Sequence, residues 1–465
     1  MPSELRPRAT VEGVGPSAQS RSMRPTDPWW TFVHDLTGRS GSAFYFERGE
    51  SPGRSVREAF WGFDPRQREI WEEARDLPRS QMRVPRRAGH PAVTWVGYLG
   101  FDAVGLFEPL LAPSTPKGSP FPLGVWDGYD RVRHQRGRDP RGSPPAPDLP
   151  PPPRLGPVSD SASPRSYEAS VERLREAIFD GEAFQIVLAH RRTRRISGGL
   201  LPLVDSLRRE ERFAYLYYLR MTDVDARTGN SGTPLEIAGA SPESVVEVRG
   251  RRIAVNPIAG TRPRPSPLRG PRSRLPLDKD PKELAEHRML VDLARNDIGR
   301  ISTTGSVRLA RRETKVPYAR LEHLVSRVVG ELTPGRDALD ALASTFPAGT
   351  VSGAPKIRAT ELLRREERTW RGPYGGAVGL LRAGGTGRDS VLNQVDFALT
   401  IRSAFALGGK VHASAGAGIV HLSSPEREWE ETLTKLSTLE SSLAGGGKAR
   451  RPDLDRPGTV KGWSR

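Results

Sequence analysis

The chain has 465 residues, 36% hydrophobic and 27% charged, with 72 Lys and Arg against 55 Asp and Glu for a formal net charge of +17. That length supports a buried core in one large body or in two or three domains, and no run approaches the roughly 20 apolar residues of a membrane span. Cysteine is absent, which excludes disulfides, thiolate metal sites and a cysteine nucleophile in this chain.

Residues 1–29 are rich in Arg, Pro and Ser and lack the apolar core and cleavage site of a secretory signal, so they read as a disordered leader on a cytoplasmic protein. Residues 30–135 contain short apolar runs broken by Gly, as in "AVTWVGYLGFDAVGLFE", the pattern of strands and tight turns in an amino-terminal domain. Residues 136–166 are mostly Pro, Gly, Ser and charge and read as a linker or long surface loop. With Ser166 as cap, the apolar spacing of Val171, Leu174, Ala177 and Ile178 predicts a helix ending near Gly181, followed by the β-like run "AFQIVLAHR".

Farther along, "SVVEVRGRRIAVNPI" and "VHASAGAGIVHL" predict strands, and "PKIRATELLRREER" predicts a helix. Strands arrive in hairpin-like groups instead of alternating regularly with helices. The expected fold class is therefore α+β, with large, mostly antiparallel sheets flanked by helices, and residues 167–442 as its main domain. Residues 443–465 read as a disordered tail.

Two predicted helices carry paired carboxylates. "DPKELAEHRMLVDLARNDIGR" opens with Asp280 as a cap and Pro281 in the first turn. Glu283 and Glu286 share the face that continues through Leu290, Leu293 and Ala294, so the acids extend the apolar stripe. In "SPEREWEETLTK", Glu428, Glu431 and Lys435 lie on one face beside Trp429, Leu433 and Leu436. Like charges three apart cost a few tenths of a kcal/mol on an isolated helix, and more when turned inward. Four oxygen donors from two helices suit a hard dication such as Mg²⁺. The alternative is a pair of charged helices with Arg288, Arg427 and Lys435 as local partners.

Such a metal bridges to an anionic substrate, and three features offer anion contacts. Gly416 and Gly418 of "ASAGAG" let backbone N–H groups approach a ligand closely. Thr350 and Ser352 of "FPAGTVSGAPKIRATELL" lie where a Gly/Pro turn leads into a helix. Arg402 sits in the predicted strand "DFALTIRSAF", where it can offer a bidentate guanidinium to a carboxylate. Each also has a purely structural reading as a turn, a cap or a surface arginine. The basic charge suggests a second class of function, a nucleic-acid-binding protein on an inactive enzyme scaffold, but the basic residues are spread along the chain without a recognition motif.

These residues, in this order, resemble the chorismate-utilising enzymes, most closely the large subunit of anthranilate synthase. The resemblance runs from about residue 165 to 440 through "ASPESVVEV", "NPIAGTRPR", "KELAEHRMLVDLARNDIGRI", "LEHLVSRVVGEL", "FPAGTVSGAPKIRATELL", "YGGAVGLL", "IRSAF", "AGAGIV" and "SPEREWEETLTKL". It implies Glu286 and Glu431 as Mg²⁺ ligands, with Glu283 and Glu428 holding metal-bound waters. It further implies that Tyr374, Arg402, Gly416 and Gly418 take the enolpyruvyl carboxylate of chorismate, with Thr350 and Lys435 completing the pocket. Glu243 of "ASPES" is implied as the general acid, and His323 of "LEHL" as the group that assists removal of the C2 proton.

Two positions separate activities within that family. Members that add water carry a lysine base where this chain has Gln185, and an amide cannot deprotonate water. Many aminodeoxychorismate synthases carry a lysine nucleophile where "PIAGT" has Ala259, followed by Gly260 and Thr261. The implied nucleophile is ammonia beside Ala259 and the implied product anthranilate, with aminodeoxychorismate as the runner-up. Ammonia from glutamine needs a cysteine, so the resemblance implies a separate glutamine amidotransferase subunit in a hetero-oligomer. The family's tryptophan-feedback elements are not evident; the corresponding regions read "SAFYFERGE" and "EERFAYLYYLR".

Overall fold

The run Tyr215–Met221, YLYYLRM, shows how the sequence builds the architecture. Alternate side chains on a strand point to opposite faces. Tyr215, Tyr217 and Leu219 pack in one buried cluster and Leu216 and Tyr218 in another, so both faces of the strand are covered. A nearly unbroken apolar run is what such a strand needs.

In the computed structural model this strand belongs to one of two large antiparallel sheets of eleven and ten strands. The structure describes residues 27–49, 57–71, 93–108, 110–111, 118–137, 148–210, 213–224, 234–263, 276–318, 321–384 and 391–445. Within them lie helices α1 (Pro28–Leu36), α2 (Pro164–Phe179), α3 (Leu201–Glu210), α4 (Pro281–Gly299), α5 (Ala338–Thr345), α6 (Lys356–Glu367) and α7 (Pro425–Leu443). The α+β expectation holds.

Along its main path the first sheet runs in the order Gly353–Ala354, Gln185–Ser197, Lys410–Ile419, Ser403–Leu407, Leu235–Ser241, Tyr215–Met221, Ala43–Arg48, Arg57–Phe63, Arg133–Gly137. The second runs Ile258–Pro263, Leu321–Glu331, Arg252–Val255, Ser244–Arg249, Val391–Leu399, Ala377–Gly384, Thr94–Leu99, Gly124–Tyr129, Gln67–Trp71. Strands from the amino-terminal segment thus extend both sheets. Phe44, Phe60, Tyr98, Val125, Tyr217 and Phe405 are among the residues that fill the layer between the sheets. Helices α1, α3 and α7 cover the outside of the first sheet, and α4 and α5 cover the second. Each fully buried large side chain contributes about 1.5–3 kcal/mol by leaving water.

One strand pair crosses from sheet to sheet. Leu235–Ser241 pairs with Ser403–Leu407 in the first sheet, and their direct continuations, Ser244–Arg249 and Val391–Leu399, pair in the second. The chain therefore changes sheets at residues 242–243 and again at residues 400–402. Two backbone bonds stitch the corner: Leu399 N–H donates to the Glu243 carbonyl at 3.0 Å, and Ala240 N–H donates to the Arg402 carbonyl at 3.3 Å.

Several boundaries differ from the sequence reading. Asp27 caps α1, and Trp29, assigned to the leader, is fully buried, because an aromatic-rich first turn packs against Tyr45. Residues 1–26, 138–147 and 446–465 of the predicted leader, linker and tail lie outside the described residues. Elsewhere in the predicted linker, Arg154–Leu155 and Ser159–Asp160 pair with Gln185–Ser197. Helix α2 starts three residues early: Ser163 is its N-cap, and Ser166 closes the capping box from the third helical position. Asp280 caps α4 as expected, accepting from Lys282 N–H at 3.1 Å.

Candidate active site

The sheet corner carries two of the residues that the sequence singled out, Glu243 and Arg402. Glu243 lies on the first crossing, its carbonyl and amide both bonded with the Ser241 hydroxyl. Its carboxylate accepts from Thr350 Oγ1 at 2.9 Å. The side chain is buried, and loss of water pushes its pKa from 4.5 up to about 8, with the Thr350 bond pulling the other way. A carboxyl group in this setting holds its proton at neutral pH and can donate it.

Arg402 lies on the second crossing. It is not a strand residue, as its alternating neighbours suggested: strand pairing stops at Leu399 and resumes at Ser403, and Arg402 turns the chain at φ 51°. A left-handed backbone costs a non-glycine residue on the order of 1–3 kcal/mol, a strain that concentrates at functional sites. Thr350 also departs from expectation. It belongs to a single turn, Gly349–Val351, whereas α6 begins at Lys356 behind Pro355, because a proline admits only the first turn of a helix. Thr350 therefore acts through its hydroxyl on Glu243 instead of through a helix-end amide.

His323 sits in Leu321–Glu331, buried, with Nδ1 3.1 Å from the Gly260 carbonyl. A carbonyl only accepts, so Nδ1 carries the proton of the neutral ring and Nε2 carries the lone pair. Burial, reinforced by the positive charge of Arg402, lowers its pKa to about 4. The ring is a neutral base at physiological pH.

Gly260 interrupts the pairing of Ile258–Pro263 with Leu321–Glu331 as a bulge at φ 64°, between Ala259 and Thr261. Ala259 is buried opposite Leu324, and Thr261 is in register with His323; the side chain of Thr261 lies outside the description. A methyl group on Gly260 would stand 2.8 Å from Glu283 Oε2, which brings the first carboxylate of α4 against this strand.

The glycines of Lys410–Ile419 complete the wall. Ala415 and Ala417 point into packed clusters, so Gly416 and Gly418 face the other way. A Cβ at Gly416 would come within 3.0 Å of the buried Tyr374 hydroxyl, and one at Gly418 within 2.7 Å of Gln185 Nε2. Burial pushes the Tyr374 phenol up to about 12, against a hydrogen bond from the Gly416 backbone. Lys435 Nζ donates to the Gly416 carbonyl at 2.7 Å and pairs with Glu431 at 2.7 Å.

Three of the four glutamates have contacts that tie them to this wall: Glu283 lies against Gly260, Glu286 bonds Gln185 and Glu431 pairs with Lys435. Gln185 Nε2 donates to Glu286 Oε1 at 3.3 Å. The Glu286 carboxyl is raised by burial first, then by the charges of Glu283 and Glu431. Glu428 is raised by burial first and also by Glu431. Among the described residues, no three His, Asp or Glu side chains already converge as a metal cage. Glu431 is exposed and turned to Lys435. The donor set is nonetheless all oxygen and self-repelling, chemistry that fits a hard dication with waters in its shell. The arrangement as a whole can protonate a leaving oxygen, remove a proton nearby and hold a polyanion.

Sequence reasoning missed one component. Arg371, between α6 and Tyr374, is buried and bonded to two carbonyls that line the site, and its mixed Arg/Gly/Pro surroundings gave no periodic signal.

Comparison with known proteins identifies the family. The family model described as chorismate binding enzyme matches residues 41–441. Anthranilate synthase component 1 of Methanothermobacter thermautotrophicus is 46% identical over 286 residues, 61% of this chain and 58% of that protein. That of Methanothermobacter marburgensis is 36% identical over 89% of this chain and 92% of that protein. That of Streptomyces coelicolor is 43% identical over 60% of this chain, spanning about half of the relative, 51%. Among solved structures, anthranilate synthase component I from Streptococcus pneumoniae superposes with TM-score 0.66 at 28% identity, covering 84% of this chain and 93% of that one. The menaquinone-specific isochorismate synthase of Escherichia coli shares the fold, with TM-score 0.64 at 18% identity over 90% of this chain and 92% of that one. With a family match across most of its length and a relative aligned nearly end to end, the chain belongs to the chorismate binding enzyme family.

Proposed function

We propose that this chain is the chorismate-converting component of a Mg²⁺-dependent anthranilate synthase, acting in tryptophan biosynthesis in the cytoplasm. The observation that carries the reading is the buried Glu243 carboxyl, raised to about 8 and held by Thr350, in a site whose Gln185 and Ala259 provide no lysine. Chorismate and ammonia give anthranilate, pyruvate and water. Glu243 donates its proton to the departing C4 hydroxyl as ammonia bonds to C2. The ammonium formed at C2 returns a proton to Glu243; neutral His323 takes the C2 proton while the enolpyruvyl C–O bond breaks and the ring becomes aromatic, and the released enolpyruvate takes a proton at its methylene carbon to become pyruvate.

Arg402, Tyr374 and the backbone at Gly416 and Gly418 receive the enolpyruvyl carboxylate, with Lys435 beside them. Glu286 and Glu431 would ligate the metal, and Glu283 and Glu428 would hold its waters. The bound ion supplies charge neutralisation for the ring carboxylate. Because the chain has no cysteine, glutamine-derived ammonia comes from a separate amidotransferase subunit.

Incubation of the purified chain with chorismate, Mg²⁺ and ammonium tests the reading. Blue-fluorescent anthranilate with equimolar pyruvate is expected. Aminodeoxychorismate without pyruvate would instead select the second activity, that of an aminodeoxychorismate synthase. Salt-sensitive retention of DNA or RNA with no chorismate consumed would select the nucleic-acid-binding alternative.

A further inference from the structure

We infer that Arg371 is a positioning residue that clamps two walls of the site together, the turn before α6 and the strand Gln185–Ser197; its effect on catalysis rests on the function proposed above, while the clamp itself does not. Arg371 is 4% exposed and touches the site only from behind. One guanidinium nitrogen, Nη1, donates to the Val351 carbonyl at 2.6 Å, and the other, Nη2, donates to the Val187 carbonyl at 2.6 Å. Nε donates to Glu367 at 2.8 Å, and Nη2 closes a second bond to the same carboxylate. The planar group also lies 6.0 Å from the Tyr374 ring centroid.

Each partner is one step from a group that faces substrate. Val351 follows Thr350, whose hydroxyl holds Glu243. Val187 is in register with Gly418, and Val187 N–H donates back to the Ser352 carbonyl at 3.0 Å, so turn and strand are locked to each other at that point. Glu367 accepts from Ala189 N–H at 2.9 Å, and Ala189 is in register with Gly416. The turn that carries Thr350 and the strand beside the glycine wall thus share one rigid fork, which lies over the Phe101 ring at 4.1 Å. Only a guanidinium supplies donors at these spacings, since an ammonium is a single point on a flexible stem. A 1 Å displacement of such groups costs as much as a hundredfold in rate.

The test is Arg371→Lys in the full chain, which keeps the charge and removes the fork, with Glu367→Gln as a milder second variant. Hydrogen–deuterium exchange is read first and needs no substrate. Faster exchange is expected in peptides covering 185–189 and 349–353, at least tenfold in the lysine variant, with the remainder of the chain unchanged. Kinetically, kcat/KM for chorismate should fall about 10- to 100-fold, with the KM for ammonium unmoved, because Ala259 lies on a strand that Arg371 does not touch. Unchanged exchange in both segments, or a uniform increase across the chain, overturns the clamp and makes Arg371 an ordinary core residue. If the wild type leaves chorismate untouched, the functional reading fails, and the exchange data still decide the clamp.

Discussion

Thr350 Oγ1 donates to the Glu243 carboxylate at 2.9 Å, and among the described residues this bond opposes the desolvation raising that acid to about 8. The proton affinity of Glu243 is therefore set by two opposing effects, and they can be separated.

The pH dependence of kcat/KM follows from the two perturbed groups. If Glu243 is the acid and His323 the base, as proposed, activity falls as pH rises through about 8, where Glu243 loses its proton, and falls as pH drops through about 4, where His323 gains one. Thr350→Val removes a bond that favours the ionised acid, which moves the alkaline limb upward while lowering the plateau roughly tenfold. A limb that stays in place or moves down would separate Glu243 from the acid step.

Glu243→Gln tests the same group through stability. The folded pKa lies above the ordinary 4.5, so the wild type loses stability as pH rises from about 4.5 to about 8, while the amide variant does not. Denaturant titration should show the variant gaining on the wild type by a few kcal/mol between those limits and matching it at acid pH. Turnover should drop roughly 10²- to 10⁴-fold at every pH.

The glutamates predict a linkage to metal. Glu431→Gln should abolish turnover with the circular dichroism of the wild type retained. Glu286→Gln removes a carboxylate that burial, Glu283 and Glu431 all disfavour as an anion, so this variant should melt at or above the wild-type temperature without Mg²⁺. Added Mg²⁺ should raise the melting temperature of the wild type and leave both variants unmoved; equal shifts in all three would remove these side chains from the metal.

Gly418→Ala places a methyl 2.7 Å from Gln185 Nε2, the far end of a flexible side chain. The fold should survive, Gln185 should swing off Glu286, and kcat/KM for chorismate should fall about tenfold or more. Full activity would mean that the close approach of backbone and amide has no part in binding.

Local chemistry made the two acidic helices legible: Asp280 and Pro281 start α4, and period 3.6 puts Glu283 with Glu286 and Glu428 with Glu431. Period two likewise put Gly416 and Gly418 on one face of their strand. Those signals lie within a few residues of each other, which is the range over which a chain's own geometry fixes side-chain direction. Which strands would pair, and that one pair would change sheets at Glu243 and Arg402, depended on contacts between residues more than a hundred positions apart. Arg402 looked like a strand residue because periodicity continues across the corner, while the turn at φ 51° carries the chain from one sheet to the other. The burial that raises Glu243 and lowers His323, and the fork of Arg371 behind them, arise where both sheets and the turn before α6 close on one another; no local pattern encodes such an enclosure, because its energy comes from excluding water between segments distant in sequence.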